Sequence, residues 1–154
     1  MRLCFIDYTD WNYNVDAPTL KPLGGSQSAL CYLTIELAKL GHDVTVMTGT
    51  RHPGKVSGVE CRNISQCNGH DLSKFDYDAV IVLNSSGSCG LRSVLRPSTK
   101  LILWTQHETA QPAMRKLLHP EMSNRFDGIV CVSDWQRSTY IETFKLPPDQ
   151  LTVL

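Results

Sequence analysis

Four short stretches of this sequence carry side chains able to do chemistry, and each directly follows an apolar run. The first is the seventeen-residue segment from Tyr8 to Gly24, which holds Tyr8, Asp10, Trp11 and Tyr13 and leads into Gly25-Ser26. Aromatic rings with a polar handle suit sugar faces, and they equally anchor a long loop to a core; one of the three is expected to pack inward. A loop of this length is more often a functional lid than a plain connection. Gly24 and Gly25 stand before a helix start, where unpaired N–H groups and the helix dipole favour an anion such as a phosphate. The same pair also reads as a tight turn with Ser26 as N-cap. The second stretch is Asn84-Ser85-Ser86-Gly87. The third is Gln106-His107-Glu108, where an imidazole between polar neighbours could bind substrate or catalyse, or simply face solvent. The fourth, Ser133-Asp134, forms a capping box with Gln136 and is mainly structural. Asp7 and Asp10 stand where a general base could, with no partner in the sequence to tune them.

Spacing narrows the chemistry. The glycines form neither GxGxxG nor GxxxxGK[ST], and no acidic residue past the second strand is placed to hold a ribose, which argues against dinucleotide and P-loop sites. Cys61, Cys67 and His70 offer three zinc ligands without a fourth, so no metal is expected. The six cysteines contain no CxxC pair, and three lie inside apolar runs, as reduced buried thiols do. Lys plus Arg and Asp plus Glu number 15 each, which gives no global field for nucleic acid. No stretch approaches the roughly 20 apolar residues of a membrane helix, and the N-terminus runs straight into a strand. A cytoplasmic chain without an integral membrane segment is the expectation.

The elements that must position these residues are legible in outline. Apolar, β-rich runs recur at Arg2 to Asp7, Asp43 to Thr48, Asp78 to Asn84, Lys100 to Thr105, Gly128 to Ser133 and from Leu151 onward. Most are continuous, as in strands covered on both faces. Between them lies a helix from Ser26 to Leu40, with Leu30, Leu33, Leu37 and Leu40 on one side and Gly41 as its terminator. Further helices are expected at Pro112 to Ser123 and Asp134 to Phe144, with a short one at Leu91 to Leu95. The stretch from Gly49 to Ser73 is irregular, with one weak strand near Val59 to Ile64. Alternating strands and helices predict one α/β domain over residues 1–154, a Rossmann-like open parallel sheet of six or seven strands with helices on both faces. The first strand is expected at its centre, with Gly24, Gly25, Asn84, His107 and Ser133 along one edge. The sequence stops within a strand-like run, which reads as part of a longer protein.

The segments Pro22-Leu23-Gly24-Gly25-Ser26-Gln27, Leu37 to Val46, Trp104 to Glu108, Val132 to Arg137 and Leu151 to Leu154 together resemble glycosyltransferase family 4 in order and spacing. The resemblance implies the acceptor-side half of a two-domain GT-B enzyme that moves a sugar, of hexosyltransferase type, from a nucleotide-sugar donor to a sugar, lipid-linked or other small acceptor. It implies retention of configuration, with no cofactor or metal. It places Gly24 and Gly25 by the donor diphosphate, and His107 beside the reacting carbon as the catalytic residue. Ser26, Asn84 and Glu108 complete the expected substrate-binding edge, and Tyr8, Asp10, Trp11 and Tyr13 form the candidate acceptor loop. The family's C-terminal domain, with its paired glutamates and basic residues, is absent from this chain, so the chain alone is expected to be inactive. Two alternatives stand beside this reading: a stand-alone module binding a sugar, nucleotide or protein, and half of a GT-B-like sugar-nucleotide epimerase.

Overall fold

The computed structural model describes residues 1–66 and 69–154, with side chains at every described position except 66 and 69–71. Cys67 and the His70 side chain, two of the three zinc ligands considered above, lie outside the described residues. Eight strands form one sheet: β1 (Arg2–Asp7), β2 (Asp43–Thr48), β3 (Gly54–Val56), β4 (Val59–Asn63), β5 (Ala79–Leu83), β6 (Lys100–Trp104), β7 (Gly128–Cys131) and β8 (Leu151–Val153). Their spatial order is β3-β4-β2-β1-β5-β6-β7-β8, so the first strand is central as expected. All neighbouring pairs are parallel except β3 with β4.

The strands alternate between two cores. Leu3 and Phe5 face one cluster, with Val44, Val46, Leu30 and Cys31, while Cys4 and Ile6 face the other, with Val80, Leu101, Leu103, Tyr140 and Phe144. Burial on both faces is why these strands read as continuous apolar runs rather than alternating ones. The helices are α1 (Ala17–Leu20), α2 (Gly25–Lys39), α3 (Gly69–Lys74), α4 (Pro120–Ser123) and α5 (Asp134–Phe144). Helix α2 ends in a Schellman motif: Gly41 has φ +87°, its N–H donates to Ala38 O (3.0 Å), and His42 N–H donates to Leu37 O (3.1 Å).

Five details depart from the sequence reading. The buried stripe of α2 is Gln27, Leu30, Cys31 and Thr34, and Leu40 is 76% exposed. The single helix expected over 112–123 is a 3-10 turn, Pro112–Leu118, followed by α4. Pro120 excludes His119 from helical geometry, and His119 accordingly sits at φ −108°, ψ 110°. The short helix expected near Leu91 starts earlier, as a 3-10 segment over Ser86–Ser93. The long loop after β1 contains α1. The additional strand β3 forms a hairpin with β4 through Ser57 and Gly58, both at positive φ, the geometry of a two-residue turn. Among the described residues, no helix is long and apolar enough to cross a membrane.

Candidate functional site

Strand order reverses between β1 and β5, because the chain leaves β1 toward β2 on one side and returns to β5 on the other. In an open parallel sheet the crevice beyond the carboxyl ends at such a point receives ligand. The segments bordering it are the loop after β1, the start of α2 and the loops after β5 and β6.

A closed triangle of hydrogen bonds ties three of these segments together. Asn84 Nδ2 donates to Ser26 Oγ (3.0 Å), Ser26 Oγ donates to Gln106 Oε1 (3.1 Å), and Gln106 N–H donates to Asn84 Oδ1 (2.7 Å). Asn84 adopts φ +52°, a left-handed conformation that asparagine tolerates better than most residues. Ser26 is therefore a cross-strand link rather than the N-cap. The N-cap is Gly24, which has no capping side chain, and the first turn of α2 carries no acidic residue. The amides at this helix start face outward under a positive dipole end. The two glycines differ. A Cβ on Gly24 would lie 2.6 Å from Gln27 Oε1 and 3.3 Å from Trp11 Cζ3, so a side chain there would displace Gln27 or Trp11. A Cβ on Gly25 would meet nothing within 4 Å, leaving open space over the helix start.

His107 is half-buried rather than loop-exposed, and its backbone is clamped. Its N–H donates to Thr105 Oγ1 (3.2 Å), and its carbonyl accepts from Gln136 Nε2 (2.9 Å) and the Tyr140 hydroxyl (2.6 Å). Burial lowers the pKa of its imidazole below the ordinary histidine value, partly opposed by the Asp7 carboxylate. Nδ1 is buried without a hydrogen-bond partner among the described residues. Gln136 also shows how Ser133 works: Gln136 N–H donates to Ser133 Oγ (3.1 Å), as a capping box requires. The return bond, however, reaches Val132 N–H (2.8 Å) instead of Ser133 itself.

Asp7, which the sequence places where a general base could stand, has partners that the sequence did not show. It is 2% exposed and accepts from Thr9 N–H (3.1 Å), Thr9 Oγ1 (2.8 Å), the Tyr13 hydroxyl (2.6 Å) and Gln27 Nε2 (3.1 Å). Four donors hold the carboxylate in place and draw the aromatic loop and α2 onto the end of β1. A charged residue closing an otherwise buried strand was the available signal; Tyr13 and Gln27, its partners, cannot be read from spacing. Tyr13 is thus the inward-packing aromatic, its hydroxyl pKa raised by burial and by Asp7, while Tyr8 and Trp11 are each 48% exposed. The loop crosses the end of β2 closely enough that a Cβ on Gly49 would stand 2.7 Å from Trp11 O.

A cavity of about 290 Å³ lies at the switch point, where Asp7, Tyr8, Gln27, Asn84 and His107 meet. A neighbouring cavity of about 360 Å³ shares Tyr8 and Ser85 with it and extends along the 3-10 segment. Asp10, Trp11 and Glu108 do not line either one; Asp10 and Glu108 are exposed, and Glu108 accepts only from Thr109 Oγ1 (3.3 Å) among the described contacts. A larger cavity, about 440 Å³, opens at the opposite, amino-terminal edge of the sheet. Its charges pair with one another, as in Arg2–Asp76 (3.9 Å) and Arg62–Glu60 (3.7 Å), and the strand-end rule puts ligand at the other edge. Burial pushes the Cys31 thiol up to about 12 and Cys131 to about 11, so neither is a nucleophile near neutral pH.

Among solved structures, the chain is similar to a D-isomer specific 2-hydroxyacid dehydrogenase family protein from Klebsiella pneumoniae 342, at 16% identity and a TM-score of 0.51 over 99% of this chain and 43% of that one. It is also similar to a D-isomer specific 2-hydroxyacid dehydrogenase from Xanthobacter autotrophicus Py2, at 18% identity and a TM-score of 0.48 over 99% and 45% of the two chains. At such identities the first likeness shows the Rossmann-like fold alone. The chain spans less than half the length of either structure. A search of curated proteins finds no match. The sequence model of one family, Glycosyltransferase Family 4, matches residues 23–154.

Proposed function

The chain belongs to glycosyltransferase family 4, and we propose that its switch-point crevice is one wall of a cleft in which a sugar passes from a nucleotide-sugar donor to an acceptor. The observation that carries this reading is the joining of the open α2 start to the His107 strand end through the Ser26–Asn84–Gln106 triangle. In this reading the donor diphosphate lies against the amides of Gly25 and Ser26, where the dipole and the open space over Gly25 receive it. The His107 imidazole, neutral near pH 7, reaches the donor sugar by a hydrogen bond beside the reacting carbon. Asp7 acts through position: one hydrogen bond to its Oδ1 and three to its Oδ2 hold the aromatic loop and α2 against the end of β1. Transfer is of hexosyltransferase type and proceeds with retention, without a metal or other cofactor.

A second Rossmann-like domain supplies the rest of the donor site, including the charges that neutralise the leaving diphosphate. This chain supplies the acceptor side and by itself turns over no nucleotide sugar. The reading is tested by titrating sugar nucleotides into the isotope-labelled chain. Weak, millimolar-range shifts centred on Gly25, Ser26, Asn84 and His107 are expected. Shifts confined to the opposite edge overturn it, and micromolar affinity of the chain alone favours a stand-alone binding module.

A further inference from the structure

The backbone of His107 is closed into a ring of hydrogen bonds. Its N–H donates to Thr105 Oγ1 (3.2 Å), and its carbonyl accepts from the Tyr140 hydroxyl (2.6 Å). The two hydroxyls lie 2.9 Å apart. A phenol has one proton, and this one goes to the His107 carbonyl, so the Thr105 hydroxyl is the donor to Tyr140. The Met114 sulfur, 3.4 Å from Thr105 Oγ1, is the weaker acceptor. Every bond then runs in one sense, from His107 N–H through Thr105 and Tyr140 to His107 O, so that each polarises the next. Thr105 and Tyr140 are both 0% exposed. Burial pushes the Tyr140 phenol up to about 12, so it keeps its proton near neutral pH.

Helix α5 delivers a second donor to the same place. Gln136 and Tyr140 stand one turn apart on its buried face, and Gln136 Nε2 reaches the His107 carbonyl as well (2.9 Å). Both lone pairs of that oxygen are used, and His107 meets the switch-point cavity with its ring. The two ring nitrogens stand in different surroundings. Nδ1 is the buried one, without a partner among the described residues, which leaves Nε2 as the nitrogen open to the cavity. A proton on Nδ1 would be a buried donor lacking an acceptor, the costlier kind of orphan.

We propose that Tyr140 is a positioning residue for His107: with Thr105 it fixes the imidazole so that Nδ1 stays bare in the interior and Nε2 presents an N–H to substrate. His107 then offers a hydrogen-bond donor rather than a base, and the group it meets is an acceptor such as a sugar oxygen. The proposal rests on the glycosyl-transfer reading for its substrate and adds the tautomer of the ring and the residues that set it.

The test uses the isotope-labelled 154-residue chain at about pH 8, where a histidine of ordinary or lowered pKa is neutral. Long-range proton–nitrogen NMR spectra distinguish the tautomers, and comparison with His107→Ala assigns the ring. The unsubstituted chain is expected to hold His107 mainly in the Nε2–H form. Tyr140→Phe keeps an aromatic ring edge-on against Phe144 (5.1 Å) and removes only the hydroxyl. It should mix the tautomers and speed exchange of the His107 amide on the order of 10-fold, while the Gly25 and Ser26 amides keep their shifts. Thr105→Ser retains a hydroxyl and should behave as the unsubstituted chain; Thr105→Val lacks one and should behave as Tyr140→Phe. A protonated Nδ1 in the unsubstituted chain overturns the proposal, as does a folded Tyr140→Phe with tautomer and exchange unchanged. Equal effects of Thr105→Ser and Thr105→Val also overturn it, and this pair decides should Tyr140→Phe fail to fold. A sugar nucleotide added to the same samples separates the assignment from the transfer reading. It should shift His107 Nε2, Gly25 and Ser26 in the unsubstituted chain, and Gly25 and Ser26 alone in Tyr140→Phe. Silence at all three with the expected tautomers removes the transfer reading and supports the role of Tyr140. A full Nε2 response in Tyr140→Phe removes that role and keeps the transfer reading.

Discussion

His107 presents its ring from a backbone fixed at three points, and the ring itself carries little of the hydrogen bonding. Among the described residues the His107 ring makes no hydrogen bond, so His107→Ala removes none. The expected stability change is within about 1 kcal/mol, below the cost of losing a well-packed core residue. In a protein that also carries the second domain, the same change should slow transfer roughly 10²-fold or more if the imidazole contacts the transition state. Denaturant midpoints and initial rates measured on one variant separate these effects. The imidazole should titrate below its ordinary value of about 6.5, and Asp7→Asn should move it lower still by removing the charge that opposes burial. Because the folded-state pKa lies below the unfolded one, the unfolded chain binds the extra proton first. Stability should therefore decline as pH falls from about 6.5 toward the folded pKa and level off below it. Histidine NMR titration checks both statements, and a His107 pKa above 6.5 contradicts them.

At the scale of elements, the carboxyl edge is held by side chains that bridge from one loop to the next. Ser133→Ala should cost about 1 kcal/mol through the uncapped start of α5. Gln136→Ala should cost more, roughly 1–3 kcal/mol, because its side chain serves both Val132 N–H and the His107 carbonyl. Thermal unfolding of the two variants ranks them, and equal costs would mean that the His107 clamp adds nothing. Much of the fold was legible beforehand: the central first strand, the Gly41 terminator at the far end of α2 and the Ser133 cap follow from local rules of apolar runs, glycine and capping. Glu108 is exposed and lines neither cavity while His107 beside it is half-buried, because neighbours in sequence at a strand end point in different directions. The bonds of Gln27 to Asp7, of Gln106 to Ser26 and of Gln136 to His107 could not be read, since a glutamine's partner depends on which loops meet, which no periodicity encodes. The split at Pro120 was readable from the proline, and the extended pattern of 112–123 masked it.

Across the whole molecule, acid sensitivity should concentrate at Asp127, which fastens β6 to the 3-10 segment beside it. Burial raises its pKa, but Leu101 N–H (2.9 Å), Lys100 (3.1 Å) and Arg92 (3.1 Å) outweigh that and leave it below the usual carboxylate range. With the folded pKa depressed, its stabilisation is present above the unfolded value of about 3.9 and is lost as pH falls through the folded one. Asp127→Asn should flatten acid unfolding over that range, and a superimposable acid profile for the variant would assign the sensitivity elsewhere. The position of β1 has a different kind of consequence. The first of these eight strands to be synthesised is the one that joins the two halves of the sheet, and its partners begin only at Asp43 and Ala79. Until Asp43–Thr48 has emerged the β1 segment of a nascent chain has no sheet partner, and its second edge waits for β5, while β5 to β8 can zip up with successive neighbours. The chain thus resembles an arch whose keystone is cut first: lacking residues 2–7 it should fall into two incomplete pieces, and a synthetic β1 peptide added in trans is the part that would close it.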